Sequence, residues 1–272
     1  MSAISAALAG ARQKIGASEA RLLLRHLLGC SAAHIEAHRD DELDAAVEAT
    51  FQAWVERRWQ GEPIAYLTQS REFYGRSFVV APAVLIPRSE TELMVDTVLG
   101  KFERNAKPRV LDLGTGSGCL AITLALELPQ AEVTALDVSR DAMVIAAGNA
   151  KRLGAKVRLL ESDWFSAIAN ERFDLIVANP PYIAAGDPHL EQGDLRFEPL
   201  CALTSGMDGL DAIRHIVEQA QAHLISQGWL LFEHGYNQGD EVRALFEANR
   251  YCAIEQHRDI AGILRVSGGR VP

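Results

Sequence analysis

Cysteine is scarce in this 272-residue chain: Cys30, Cys119, Cys201 and Cys252 are the only four, and they are widely scattered. No Cys-x-x-Cys or mixed Cys/His spacing offers a zinc site, so they read as free thiols in a reducing compartment. Positive charge is also in deficit. Lys and Arg number 27 against 36 Asp and Glu, giving a formal net charge of −9. Phosphate tracts demand a clustered basic surface, so direct nucleic-acid partners are not expected. No apolar run reaches the roughly 20 residues that span a bilayer. Residues 1–14 lack the basic start and apolar run of a signal peptide. A cytoplasmic protein without a membrane partner is the expectation, and a monomer is the expected state.

What is present is ordinary for a globular protein: 48% hydrophobic and 23% charged residues. The length suits one large domain or a large and a small one. Residues 1–65 are helical in pattern. Ser18 is placed to cap a helix ending at Gly29, and Ser31 to cap a second, shorter one. Val47, Phe51, Trp54 and Val55 recur at helical spacing in a third. Residues 66–88 turn aromatic and β-branched at Tyr66-Leu67, Phe73-Tyr74 and Phe78-Val79-Val80, punctuated by Gly75 and Pro82, which reads as a β-hairpin linker. Ser89 is a candidate cap for the helix that follows. Residues 89–272 then alternate strands and helices, with strands expected at 110–113, 132–136, 156–160, 173–178 and 229–233. That alternation argues an α/β fold with a parallel sheet covered on both faces, whose ligands bind beyond the carboxyl ends of the strands.

Two motifs sit at those ends. Asp112-Leu113-Gly114-Thr115-Gly116-Ser117-Gly118 follows the first sheet strand and opens a helix. Asp137 closes the next strand, where an acid is placed to bond ribose hydroxyls. An adenosine-containing cofactor across the strand ends is implied. The G-x-G-x-G spacing departs from the dinucleotide fingerprint. Asp112 would repel a pyrophosphate but favour a cationic amino-acid end. S-adenosylmethionine has such an end, a sulfonium and no phosphate. After the third strand, Asp163 is placed to accept from the adenine amine and Trp164 to pack on its ring, core packing being the alternative for the indole.

The second motif, Asn179-Pro180-Pro181-Tyr182, leaves the buried strand 173–178. Two prolines fix their own φ and hold Asn179 extended. A stiff cup results, with an Asn amide, free carbonyls and an aromatic face. It suits a planar, neutral NH2 group, which points to chemistry on an amide or exocyclic amine nitrogen.

These residues resemble class I S-adenosylmethionine-dependent methyltransferases. Phe73-Tyr74-Gly75, Val84-Leu85-Ile86-Pro87-Arg88, Asp163-Trp164, Arg196-Phe197-Glu198-Pro199-Leu200 and Phe232-Glu233-His234-Gly235 narrow the resemblance to the HemK/PrmC family. It implies a class I Rossmann-like sheet with a small N-terminal helical domain joined by a β-hairpin. It also implies methyl transfer to the side-chain amide N5 of a glutamine in class 1 peptide chain release factors, leaving S-adenosylhomocysteine. By the same resemblance, Gly114, Thr115, Gly116, Ser117, Gly118 and Asp137 hold the cofactor's amino-acid and ribose parts. Asp163 and Trp164 flank the adenine, and Asn179 touches both cofactor and target amide. Asn179, Pro180, Pro181 and Tyr182 form the substrate cup, and the helical domain helps hold the release factor. The family's usual Arg-Pro-Glu-Thr-Glu is Arg88-Ser89-Glu90-Thr91-Glu92 here, and the stretch from Ser267 matches less well and is expected to fray.

In the expected mechanism Asn179 Oδ1 and the Pro180 carbonyl accept the two amide hydrogens, and Tyr182 packs on the flat amide. Glu233 and His234 are candidate proton acceptors, with a structural role the alternative. Two rival substrates share the pattern: glutamine in a ribosomal protein, and adenine N6 in nucleic acid. A nicotinamide oxidoreductase fits the glycine spacing poorly. His34 and His38 have metal-ligand spacing but no visible third ligand, so no metal is expected.

Overall fold

A computed structural model describes residues 2–272. The chain divides into two compact units: residues up to Ser70 with Glu191–Phe197 in one, Arg71–Leu190 and Glu198–Pro272 in the other.

The first unit is helical: α1 (Ile4–Ile15), α2 (Ala17–Leu28), α3 (Ala32–Ala37), α4 (Ala45–Trp59) and α5 (Ile64–Thr68). Leu23, Leu24, Ile35, Phe51 and Val55 are its buried apolar centre. Gly29 ends α2 in the left-handed region, and Ser31 caps α3 by accepting from the His34 N–H at 3.2 Å. Ser18, expected as a cap, lies inside the first turn of α2, and Gly16 holds the cap position. Tyr66 and Leu67 are helical rather than strand. Pro63 starts α5, and its carbonyl accepts from both their N–H groups, while Leu67 is buried among the helices. The segment Glu191–Phe197 joins this unit through Asp194, which accepts from Arg58 at 3.2 Å; Arg58 also pairs with Glu19.

The second unit opens with a hairpin, β1 (Ser70–Phe73) and β2 (Arg76–Val79). Tyr74 and Gly75 both take positive φ, the geometry of a tight two-residue turn. After a single 3-10 turn at Ser89–Thr91 comes α6 (Glu92–Leu99). Ser89 does not cap it; its hydroxyl donates to the Glu90 carboxylate instead. The remaining elements are β3 (Arg109–Leu113), α7 (Cys119–Glu127), β4 (Glu132–Asp137), α8 (Arg140–Leu153), β5 (Val157–Glu161), β6 (Phe173–Ala178), α9 (Asp211–Ala220), β7 (Leu224–Glu233), α10 (Gly239–Ala248), β8 (Cys252–Arg258) and β9 (Leu264–Arg270).

Strand order in the large sheet is β5-β4-β3-β6-β7-β9-β8. The five strands from β3 to β7 are parallel, as their alternation with helices requires, but β9 runs antiparallel to both β7 and β8. The C-terminal stretch is therefore not frayed: Ser267 is fully buried and pairs in register with Phe232. Alternate residues feed two cores. Leu111, Leu113, Ile176, Leu230 and Phe232 pack with Ile213, Ile216 and Phe246 of α9 and α10. Val110, Val133, Leu175, Val177 and Leu231 pack with Val95, Val98, Leu120 and Leu124 of α6 and α7. The chain leaves β3 for β4 and β5 on one side, then crosses to β6 on the other. That reversal opens a crevice beyond the ends of β3 and β6, where open α/β sheets bind ligands. Among the described residues no helix is long and apolar enough to cross a membrane.

Candidate active site

The loop from β3 to α7 is held from below. Gly114 and Thr115 N–H groups both donate to the Leu136 carbonyl at 2.9 Å. The Gly116 N–H donates to one oxygen of Asp137 and the Ser139 N–H to the other, each at 2.8 Å. Asp137 thus fixes the loop while its remaining lone pairs face the crevice. Gly114, Gly116 and Gly118 all have positive φ, but for different ends. A Cβ on Gly114 or Gly116 would meet nothing within 4 Å, so that side of the loop is an open cradle. A Cβ on Gly118 would lie 2.7 Å from Ile122 Cδ1 and 3.3 Å from Ala146 Cβ. Gly118 serves the close approach of α7 and α8.

Asp112 is buried at the end of β3 and accepts from the Thr115 hydroxyl at 2.7 Å. Burial pushes its carboxyl up to about 7, opposed by the Thr115 bond. Burial also raises Asp137.

At the end of β6, Asn179 is placed by a relay. Its Nδ2 donates to Thr91 Oγ1 at 3.1 Å, and the Thr91 hydroxyl donates to Glu233 Oε2 at 2.6 Å. Tyr182 donates its hydroxyl to the other oxygen, Glu233 Oε1, at 3.0 Å. Glu233 is buried, which raises its carboxyl against the two hydroxyl bonds. Asn179 Oδ1 is buried and has no hydrogen-bond partner. His234 is occupied elsewhere: Nδ1 faces the Gly235 carbonyl at 2.9 Å and Nε2 the Ser267 hydroxyl at 2.8 Å, so Nδ1 carries the hydrogen. Burial lowers its tendency to take a second proton.

The glycine loop, Asp112, Asp137, Thr91 and Asn179 border one cleft enclosing about 1130 Å³ of empty space, solvent at its mouth included. Of the residues anticipated from sequence, Gly114, Thr115, Gly116, Ser117, Asp137, Asp163, Trp164, Asn179, Pro180 and Pro181 line it. Gly118 and Tyr182 do not. Gly118 packs beneath the loop, and the Tyr182 ring lies against the core with its hydroxyl tied to Glu233. Trp164 has a core contact of its own, its ring 6.0 Å from that of His215. The segments 84–88 and 196–200, noted in the sequence as motifs, form another part of the wall, and their pairing was not anticipated. Buried Glu198 accepts from the Ile86 N–H at 2.9 Å and from the Arg88 guanidinium, so it pins the segment carrying Leu85, Pro87 and Arg88. Its neighbours Pro199, Cys201 and Ala202 complete that wall.

Comparison with known proteins now bears on this cleft. Residues 1–68 match the PrmC N-terminal domain family, and residues 89–193 the methyltransferase small domain family. The release factor glutamine methyltransferase of Bordetella pertussis is 51% identical over 92% of this chain and 93% of its own. That of Escherichia coli is 44% identical over 93% of this chain and 91% of its own. The chain belongs to the release factor glutamine methyltransferase family. In fold it is also similar to a solved T. thermophilus 16S rRNA N2 G1207 methyltransferase in complex with AdoMet and guanosine. The TM-score there is 0.55 at 20% identity, over 75% of this chain and 50% of that one.

Family membership makes the chain a methyltransferase, and the lining of the cleft can be tested against a methyl-donating cofactor. Asp112, Asp137 and Asp163 line it against a single basic side chain, Arg88. A wall of that sign disfavours a pyrophosphate and favours a cation. The open glycine cradle and the negative lining both fit S-adenosylmethionine. Thr91, which lines the cleft and links Asn179 to Glu233, was not singled out from sequence. Its only signal was its place in the polar run Arg88-Ser89-Glu90-Thr91-Glu92, read as a helix start.

Proposed function

We propose that this enzyme transfers a methyl group from S-adenosylmethionine to the side-chain amide N5 of the glutamine in the Gly-Gly-Gln motif of class 1 peptide chain release factors. The observation that carries the proposal is the buried, unpaired Asn179 Oδ1 at the end of β6, on the wall of a negatively lined cleft. A lone acceptor held there is matched by a neutral NH2 group, and an unsatisfied one is costly unless a ligand completes it.

The bound cofactor supplies a methyl group activated by a sulfonium. Gly114, Thr115 and Gly116, beside Asp112, would hold its amino-acid end, Asp137 its ribose, and Asp163 and Trp164 its adenine. An amide nitrogen is a poor nucleophile because its lone pair is conjugated to the carbonyl. The chain's contribution is therefore alignment and charge placement. Asn179 Oδ1 accepts one amide hydrogen and the Pro180 carbonyl the other. These bonds hold the nitrogen's lone pair toward the donor and stabilise positive charge as it grows on nitrogen. Pro180 and Pro181 keep the cup stiff, and Tyr182 anchors it through Glu233. The methylated amide is acidic enough to shed its proton without a dedicated base. Glu233, with both oxygens engaged by hydroxyls, and His234, with both ring nitrogens engaged, support a structural role for that pair. The helical unit contributes to holding the factor, and the reaction belongs to the cytoplasm.

The test is transfer of labelled methyl to unmethylated release factor, with and without its Gly-Gly-Gln glutamine replaced. Label that vanishes with the glutamine supports the proposal. Label appearing instead on a ribosomal protein or on DNA refutes the substrate. Asn179→Ala is expected to lower kcat by about 100-fold or more, the loss seen when one charge-stabilising hydrogen-bonding group is removed. Cofactor affinity should change much less, and wild-type turnover in this variant would end the acceptor scheme.

A further inference from the structure

An asparagine amide can present either end to a ligand, and only one end of Asn179 can serve as acceptor. Its carboxamide must therefore be prevented from turning over. The structure shows what does this. Thr91 has one hydroxyl hydrogen, and that hydrogen is given to the Glu233 carboxylate at 2.6 Å. Toward Asn179 the hydroxyl has only lone pairs left to offer. It therefore accepts from Nδ2, at 3.1 Å, and would face the opposite dipole if the amide were reversed. Reversal would also bury Nδ2 where Oδ1 now lies, without a partner among the described residues. Glu233 is kept from taking another orientation by the Tyr182 hydroxyl on its other oxygen.

We infer that Thr91 is a positioning residue for methyl transfer: its hydroxyl, committed to Glu233, fixes the Asn179 amide with Oδ1 toward the substrate. The inference rests on the reading of Asn179 as acceptor of the target amide. Thr91 is 2% exposed and Glu233 1%, so the bond between them is shielded from bulk solvent. Three residues far apart in sequence thus act as one: Thr91 follows the hairpin, Asn179 ends β6 and Glu233 ends β7. The same carboxylate anchors Tyr182, so the two ends of the Asn-Pro-Pro-Tyr cup share one fixed point.

The test compares Thr91→Val, Thr91→Ser and Asn179→Ala in the full-length protein with release factor as substrate. Steady-state kcat and KM, S-adenosylhomocysteine affinity and thermal unfolding are measured for each. Thr91→Val keeps the shape but removes the hydroxyl. It should lower kcat at least tenfold, with KM for the factor and cofactor affinity within about threefold of wild type. Thr91→Ser restores the hydroxyl and should return kcat to within about threefold. A merely structural threonine would not give this kcat-only loss with rescue by serine. Wild-type kcat in Thr91→Val, or equal losses in valine and serine variants, overturns the inference. Should Thr91→Val fail to fold, Glu233→Gln carries the test. It frees the hydroxyl to turn either way, so kcat should fall at least threefold without loss of thermal stability; unchanged kcat overturns the inference. Asn179→Ala separates the two levels. If it is inactive while Thr91→Val is fully active, only the positioning role fails. If it is fully active, the acceptor reading beneath it fails as well.

Discussion

The three glycines of the β3–α7 loop look alike in sequence, yet the structure gives them different duties, and substitution can tell them apart. Gly118 has φ +82°, and a Cβ there would stand 2.7 Å from Ile122 Cδ1 and 3.3 Å from Ala146 Cβ. Gly118→Ala therefore carries two costs. The left-handed backbone costs a residue with a Cβ about 1–2 kcal/mol. Forcing a methyl into a packed contact between α7 and α8 adds roughly 1–3 kcal/mol. The sum, about 2–5 kcal/mol, corresponds to a drop in Tm of about 4–20 °C for a domain of this size. Gly116 has φ +55° with nothing near its would-be Cβ. Gly116→Ala carries the backbone cost alone, a drop of about 2–8 °C.

Cofactor binding should show the reverse order. The open side of Gly116 is where a ligand would approach the loop, so its methyl occupies ligand space. Gly116→Ala should weaken S-adenosylhomocysteine binding at least tenfold in titration calorimetry. Gly118→Ala, beneath the loop and off the cleft wall, should change it by less than threefold. Thermal unfolding and titration on the same two preparations decide the matter. If Gly118→Ala loses more affinity than Gly116→Ala, or melts no lower, then the division of labour drawn from the Cβ environments is wrong.

Other expectations follow from the buried acids and the outer wall. Asp112 has its folded pKa raised to about 7 from an ordinary 3.8, so between those pH values the folded protein holds more protons than the unfolded chain. Stability contributed at this site therefore falls as pH rises from about 4 to about 7, and Asp112→Asn should flatten that part of the Tm–pH curve; an unchanged slope would contradict it. A cationic ligand beside Asp112 favours its charged form, so cofactor binding near pH 6.5 should release protons, seen as heats that depend on buffer ionisation; buffer-independent heats would exclude this. Glu198→Ala strands the Ile86 N–H and frees Arg88. It should cost about 1–3 kcal/mol and raise KM for the cofactor, whereas wild-type melting and KM would show that the wall needs no pin.

The centre of the parallel sheet was readable because β3 and β6 are buried on both faces and so are nearly continuous in apolar residues. Phe173–Ala178 coincides with its expected bounds, since Asn179-Pro180 cannot extend it. The antiparallel edge was not readable. In β8, Glu255, Gln256 and His257 are half-buried and polar, which hides the strand signal. In β9, Ser267-Gly268-Gly269 looks like a loop. Its small residues are demanded by packing: a Cβ on Gly268 would lie 2.2 Å from Leu231 Cδ2. Within the site, contiguous motifs were legible while contacts made by the fold were not. Asn179 is 88 residues from Thr91, and Thr91 is 142 from Glu233. Nothing local marks Thr91 as more than a helix-start residue. Glu198 stood out as part of a motif, but its bond to Ile86, 112 residues away, could not be read for the same reason.

The relay also bears on why an asparagine, rather than an acid, stands at the head of the cup. A carboxylate at position 179 would be a stronger acceptor, but it would prefer a charged ammonium to a neutral amide. It would also bring an added charge near the buried Glu233 carboxyl, raising the cost of desolvation. Asn179 avoids that by accepting with a neutral oxygen. Glu233 still acts on it at a distance, because each hydrogen bond in the line from carboxylate to hydroxyl to amide polarises the next. The Asn179 oxygen thereby gains partial negative character without a formal charge reaching the cleft. An acceptor of that kind suits a nitrogen that begins neutral and becomes positive only as the methyl group arrives. In the proposed reaction it would stabilise the transition state more than the ground state, which is the condition for raising kcat rather than merely tightening binding.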